Sequence, residues 1–141
     1  MKNTILVVIL MFSAVSYTCA QKSAESSEPT LEEIRAARKT MDVIELSLVR
    51  SSKDMHAAAM IVEDKEAYER VYLYLVSTPG YEEALANKTI LEFKEDLRSK
   101  DKVYRKLDKA ASKIRFDKRE YIASINPNYL EAMQLYIEAT E

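Results

Sequence analysis

The near absence of helix-breaking residues constrains this fold more than any other feature of the sequence. In 141 residues the only Gly is Gly80, and the Pro residues are Pro29, Pro79 and Pro127. Between them, apolar residues recur at alternating spacings of three and four, the period of amphipathic helices and coiled coils. Sandwiches and barrels of β-strands need many more turns. We therefore predict an all-α fold.

The N-terminal segment has the pattern of a secretory signal peptide. Lys2 precedes the apolar run 5–15, which is shorter than the ~20 apolar residues that a membrane-spanning helix needs. Small residues follow, and we expect cleavage after Ala20, with a cut after Ser16 as an alternative. We therefore expect residues 1–20 to direct export and the mature protein to be secreted, or periplasmic in a bacterium.

Cys19 leaves a second possibility for this terminus, because a Cys after such a run can carry the lipid of a bacterial lipoprotein. Thr18, which precedes it, differs from the Gly, Ala or Ser that this signal favours. We expect membrane association only if Cys19 is lipidated or the signal peptide stays uncleaved. Cleavage after Ala20 would leave a mature chain without cysteine, and a domain of this size can bury a sufficient core without disulfides.

The rest of the chain is predicted to hold a flexible polar leader, residues 21–29, and a single α-helical domain, residues 30–141. Helix breaks are expected near Ser52 and Ser99, where short polar side chains can cap a new helix. With these breaks the domain forms a compact bundle of four to five amphipathic helices. Without them it forms a long antiparallel helical hairpin that turns at Pro79-Gly80.

Three cap signals mark expected helix starts. Thr30 and Glu33 have the spacing of a capping box. Thr78-Pro79 and Asn126-Pro127 each place a cap residue before a proline, which is favoured at the first helical position. The segments 78–85 and 126–133 are also similar to each other, which indicates either an internal duplication or two ordinary cap signals.

The apolar spacing predicts which side chains face inward. One phase runs without interruption from Ile34 through Met55 to Val62, and continues through Tyr72 to Leu75. The segment 71–76 is rich in strand-forming residues, but a single strand has no partner elsewhere in the sequence. We therefore expect this segment to be helical.

Charge is distributed unevenly, although the whole chain carries only −2. Residues 94–119 carry +6, between an acidic stretch before them and another after them. A basic helix between acidic helices is expected to be neutralised within the bundle, and export excludes nucleic acid as a partner. The alternative is a basic surface for anionic partners, formed by Lys102, Arg105, Lys106, Lys109 and Lys113.

The composition offers little for catalysis. With one Cys and one His the chain has no zinc-finger or disulfide framework, and one Gly is too few for a glycine-rich phosphate loop. His56 has no nucleophile or metal-ligand partners at suitable spacing, and adjacent carboxylates on a helix point about 100° apart. We predict no catalytic activity, no metal and no cofactor.

Tyrosines are the best candidates for contact residues, because each has an apolar ring and a polar tip. Tyr68, Tyr72 and Tyr74 cannot all point inward on one helix, so at least one should be exposed or line a groove. The candidate contact residues are Tyr72, Tyr74 and Tyr81. We expect a protein that acts by contact with an unknown protein partner, with homo-oligomerisation possible. The alternative is a carrier of a small apolar ligand or lipid in a pocket between helices. Asn87 begins an N-glycosylation sequon, relevant only in a eukaryotic secretory pathway.

Overall fold

Short polar side chains cap the starts of three of the described helices. The computed structural model describes residues 28–140; the predicted signal peptide, Cys19 and most of the leader lie outside these residues. The described part of the helical domain contains six helices: α1 (Leu31–Ser51), α2 (Met55–Ser77), α3 (Tyr81–Ala86), α4 (Ile90–Lys100), α5 (Lys102–Ile125) and α6 (Pro127–Thr140).

The two expected breaks are confirmed, and an aspartate caps the helix that follows each one. Asp54 accepts a hydrogen bond from the N–H of Ala57 at 2.9 Å and begins α2. Asp101 accepts from the N–H groups of Val103 and Tyr104 at 2.8 and 3.0 Å and begins α5. Each cap satisfies backbone donors that a helix start leaves unpaired. The described chain is therefore a compact bundle, not a two-helix hairpin.

The predicted arrangement of the central turn is wrong in detail. Pro79 was expected as the first residue of a helix capped by Thr78, whereas α3 begins two residues later, at Tyr81. Thr78 instead closes α2, because its hydroxyl donates to the carbonyl of Tyr74 at 2.9 Å. Gly80 precedes α3 with φ of +90°, a conformation that favours glycine. The cap at Asn126 is confirmed: its side chain accepts from the N–H of Tyr129 at 3.1 Å.

The short helix α3 explains why the structure has six helices where four to five were expected. It has six residues, and such a short segment gives no clear periodic signal in a sequence. The segment 71–76 is helical, as expected, and forms the last part of α2. The described bundle is otherwise of the predicted class.

The apolar phase changes at the break between α1 and α2. Ala37 and Met41 are buried in α1 as the spacing predicts. Met55 and Val62 continue the same phase in the sequence, but both are exposed. The chain restarts at the Asp54 cap, and α2 buries the stripe that includes Ala57 instead. A heptad phase therefore cannot be carried across a capped break.

Helices α2 and α5 form the centre of the bundle and run antiparallel. The end of α2 meets the start of α5 where the Tyr74 hydroxyl donates to Asp101 at 2.7 Å. The end of α5 meets the start of α2 where the Tyr121 hydroxyl donates to Asp54 at 3.0 Å. Helices α1 and α6 pack at one end of this pair, and α3 and α4 pack at the other.

Two apolar clusters correspond to these two ends. The first has Met41, Ile122 and Tyr129 among its buried members, and it joins α1, α5 and α6. The second has Leu75 and Tyr104 among its buried members, with Phe93 packed against it, and it joins α2, α4 and α5. The candidate site lies along α2 and α5 against the second cluster, whose buried members also line it.

Candidate functional site

A groove of about 760 Å³ runs along the α2–α5 pair, and residues of α3, α4 and α6 complete its walls. Its buried lining consists of Val71, Leu75, Tyr104 and Ala111. These side chains come from the inward stripes of α2 and α5, at three- and four-residue spacings that place them on one face of each helix. The small side chain of Ala111 leaves room between the two helices. The floor of the groove is therefore largely apolar.

The rim of the groove is made of large side chains that remain exposed to solvent. Tyr68, Tyr72, Leu85 and Phe116 are between 48% and 60% exposed. We call these four residues, three aromatic and one leucine, the aromatic rim. Isolated exposed apolar residues are common, but several around one concave surface are typical of a binding site.

Charged side chains also line the groove, and most of them are basic. They are Lys94, Arg98, Asp108, Arg115, Arg119 and Glu120. Arg98 pairs with Asp108 at 2.8 Å, which neutralises both. That hydrogen bond and the charge of Asp108 raise the pKa of Arg98 above its ordinary value, against the effect of its partial burial.

The two arginines of α5 that line the groove lie over tyrosine rings. The Arg115 guanidinium is 5.1 Å from the centre of the Tyr68 ring and bonds Asp64 at 3.2 Å. Arg119 lies 5.6 Å from the centre of the Tyr136 ring. Cation–π contacts of this kind hold a guanidinium in place while leaving its donors available.

Directly beside the groove is a buried cluster of charged groups on four helices. The Lys118 ammonium bonds Asp64 at 2.7 Å and Glu45 at 2.9 Å. Arg115 bonds the other oxygen of Asp64, and the Tyr129 hydroxyl donates to Glu45 at 2.6 Å. We call these five residues the Lys118 cluster. It joins α1, α2, α5 and α6.

The Lys118 cluster is internally balanced, with two cations against two carboxylates. Lys118 is only 5% exposed and Tyr129 is fully buried. Burial, and then the hydrogen bond to Glu45, raise the pKa of Tyr129 far above its ordinary value. Because the Lys118 ammonium is held by two carboxylates, it serves to join helices and is not a free nucleophile.

Of the predicted contact residues, the groove contains two. Tyr72 belongs to the aromatic rim, and Tyr81 lies in the wall contributed by α3. Tyr74 is elsewhere, with its hydroxyl on the Asp101 cap, and this hydrogen bond raises its pKa. Asn87 is exposed directly after α3.

The predicted basic surface lies along α5, outside the groove. All five of its members are exposed. Arg105 donates to the carbonyls of Arg98 and Ser99, each at 2.7 Å, and Lys113 pairs with Asp117 at 2.5 Å. Two of the five cations are thus engaged within their own part of the chain.

Sequence reasoning missed the Lys118 cluster, although the sequence contains a signal for it. Lys118 follows Ala111 and Ile114 in the apolar series of α5, and Asp64 lies between Ala57 and Val71 in that of α2. A charge at a core position of an amphipathic helix indicates a buried partner on another helix. Tyr68 shares the signal of Tyr72, because it is one of three tyrosines that cannot all point inward on one helix, whereas Phe116 had no comparable signal. Only the packing shows that Tyr68 and Phe116 line one groove.

His56 and the carboxylates form no metal site in the described chain. The His56 ring packs edge-on against Tyr121, with ring centres 4.6 Å apart. Between residues 28 and 140, no three His, Cys, Asp or Glu side chains are grouped to hold a metal ion. None of the helices in this range is long and apolar enough to span a bilayer.

No protein-family model, curated protein or solved structure matches this chain.

Proposed function

We propose that this protein is a binding module that receives an apolar segment of a protein partner in the groove along α2 and α5. The observation that carries the proposal is the aromatic rim: Tyr68, Tyr72, Leu85 and Phe116 surround one concave surface and are about half exposed. A partner that covers them would remove a large apolar area from water, which favours association.

Two further features support binding by contact. The groove floor is already shaped by buried residues of both central helices, so little reorganisation is needed on binding. The tyrosine hydroxyls of the rim can hydrogen-bond a partner while their rings make apolar contact. We propose no catalytic role for these residues.

A second candidate is the carriage of a small apolar ligand or lipid. The volume of about 760 Å³ lies within the range of roughly 300–1,000 Å³ that is usual for small-molecule sites. Met133, whose flexible thioether suits an adaptable lining, contributes to the groove. Met41 is buried in the core and Met55 is exposed on α2, so the methionines do not form a common lining.

Export remains part of the proposal. The basic residue, apolar run and small residues of positions 1–20 support secretion, or transfer to the periplasm of a bacterium. The partner would then be met outside the cytoplasm, and nucleic acid is not proposed as a ligand.

Site-specific photo-crosslinking in the native source tests the contact proposal. A photoreactive phenylalanine analogue replaces Phe116 in the rim or, as control, Val103, which is 56% exposed on the same helix outside the groove. We expect one defined protein adduct at position 116 and none at position 103. Equal adducts at both positions, or none at position 116, would contradict the proposal. A lipid in native mass spectra, lost on Phe116→Ser, would favour the carrier.

A further inference from the structure

The charges of the groove differ from those of the whole chain. The chain carries −2, whereas the groove lining has four cations and two carboxylates. Arg98 and Asp108 neutralise each other, and Arg115 is shared with Asp64. Lys94 and Arg119 form no ion pair with another residue of the range 28–140. Glu120 is the one carboxylate of the lining that also forms no ion pair in this range. The groove therefore presents an excess of positive charge beside an apolar floor.

The length of the groove suits a helical occupant. Its lining on α5 extends from Tyr104 to Glu120, which corresponds to about 24 Å at 1.5 Å per residue. A small molecule can occupy only part of a groove of this length. A helix of several turns can contact the floor and cover the exposed rings of Tyr72 and Phe116 along the groove.

We infer that the occupant is an amphipathic helix of a partner protein with an apolar stripe and acidic residues beside that stripe. This inference rests on the proposed function and names the partner's chemistry. The apolar stripe covers Val71, Ala111 and the aromatic rim. Carboxylates flanking the stripe meet Lys94 and Arg119, and the guanidinium of Arg119 is held over the Tyr136 ring. This is the helix-in-groove mode of recognition with complementary charge.

The test compares two synthetic peptides of 18 residues that share one leucine-rich stripe and differ only in their flanks. One peptide carries glutamates beside the stripe, and the other carries lysines at the same positions. Binding to the mature chain is measured by fluorescence anisotropy. We expect the acidic peptide to bind at least tenfold more tightly at low salt. The difference should shrink at high salt, because screening weakens exposed charge contacts.

Charge-reversal variants locate the effect. Lys94→Glu/Arg119→Glu is expected to reverse the preference between the two peptides, and Lys94→Gln/Arg119→Gln to abolish it. The matched control is Lys102→Glu/Lys109→Glu, which makes the same change of charge at exposed positions outside the groove. The control should keep the preference for the acidic peptide. Circular dichroism confirms that each variant is folded.

The outcomes separate this inference from the proposed function. Equal binding of both peptides, or loss of the preference in the control, overturns the acidic helix. A crosslinked adduct at position 116 without binding of either peptide also overturns the acidic helix, although the groove then remains a contact site. If there is neither adduct nor peptide binding, both proposals fail. Stoichiometric binding of oleate without peptide binding overturns the inference of a partner helix. A dimer of the protein that dissociates on Phe116→Ser also overturns it, because a second copy of the chain would then be the occupant.

Discussion

Lys118 is the residue on which the packing of the four long helices most depends. Its ammonium lies between Glu45 and Asp64, and each of the three side chains is less than a fifth exposed. Removing the cation leaves the buried Asp64 and the half-buried Glu45 without their main partner. We expect Lys118→Met to lower the free energy of unfolding by about 3–5 kcal/mol, the usual cost of breaking a buried ion pair from one side. Urea unfolding followed by circular dichroism measures it.

The control for this prediction is Lys113→Met, one helical turn and a half earlier on α5. Lys113 pairs with Asp117 on the surface, where ion pairs contribute little. We expect no marked change in stability for this variant. If the two variants lose the same stability, the Lys118 cluster does not have the role assigned to it.

Tyr129 makes stability depend on pH in the alkaline range. Its pKa is raised by burial and by Glu45, so the folded chain keeps the phenolic proton at pH values where the unfolded chain releases it, above about 10. The stabilisation by Tyr129 is therefore complete below pH 10 and is lost as the pH rises further. We expect Tyr129→Phe to cost about 1.5–3 kcal/mol at pH 8. The difference in the free energy of unfolding between wild type and Tyr129→Phe should be about 1.4 kcal/mol smaller at pH 11 than at pH 8. Urea unfolding at the two pH values measures it.

The positions and roles of single side chains could be predicted only in part. The surplus of tyrosines on one helix indicated only that at least one of them would be exposed or line a groove. Tyr72 lines the groove, whereas Tyr74 has the same sequence signal and bonds the Asp101 cap. Which tyrosine faces the groove depends on the helical phase, and the phase is set by the Asp54 cap. Asp64 and Lys118 are recognisable as charges at core positions, but that they meet is a property of the packing.

At the scale of elements, hydrogen bonds to the capping aspartates join α2 and α5 at both ends. Asp54 caps α2 and accepts from Tyr121 at the end of α5, while Asp101 caps α5 and accepts from Tyr74 at the end of α2. Each tyrosine follows the aspartate of its own helix at the same spacing, 54 to 74 and 101 to 121. One carboxylate thus orders a helix start and joins it to the opposite helix.

The Asp101 cap predicts a dependence of stability on acid. Hydrogen bonds from the N–H of Tyr104, the hydroxyl of Tyr74 and the N–H of Val103 hold the pKa of Asp101 below its ordinary value. Its contribution is therefore present above pH ~4, the ordinary pKa, and is lost as the pH falls through the lower folded value. We expect Asp101→Ala to destabilise the protein at pH 6.5, and the difference from wild type to shrink towards pH 3.

Thermal unfolding at a series of pH values measures this effect. Tyr74→Phe is the matched variant, because it removes one of the three hydrogen bonds and leaves the cap in place. It should destabilise less than Asp101→Ala. A difference in stability between Asp101→Ala and wild type that grows in acid would contradict this expectation.

The helices themselves were largely predictable and their relative positions were not. Scarce Gly and Pro, the breaks near Ser52 and Ser99, and the Asn126 cap are local signals, and each was confirmed. Where Met55 and Val62 point depends on how the chain restarts after a break. The start of α3 depends on the left-handed conformation at Gly80. These features arise from a few local backbone angles that periodicity does not encode.

At the scale of the whole molecule, the first three and the last three described helices repeat one pattern of chain order and contacts. Helix α1 precedes α2 and packs on α6, as α4 precedes α5 and packs on α3. The similar segments 78–85 and 126–133 contain the starts of α3 and α6. This arrangement supports the interpretation of the sequence similarity as an internal duplication.

The N-terminus carries a prediction for the whole chain. We expect intact mass spectrometry of the protein purified from its source to give a chain that begins at Gln21, because the signal pattern ends at Ala20. A mass with a diacylglyceryl group on Cys19 would place the protein on a membrane surface instead. An intact chain from Met1 would contradict export by cleavage.

The burial of Lys118 has a practical consequence for the chemistry of the chain. Among residues 28–140 it is the one lysine that is buried, whereas Lys102, Lys109 and Lys113 are exposed. An amine-reactive reagent will therefore acylate the surface lysines of the closed molecule at once and reach Lys118 only when the four helices separate. A proteomic map of lysine acylation would thus record, at this single position, how often the protein opens in its native setting.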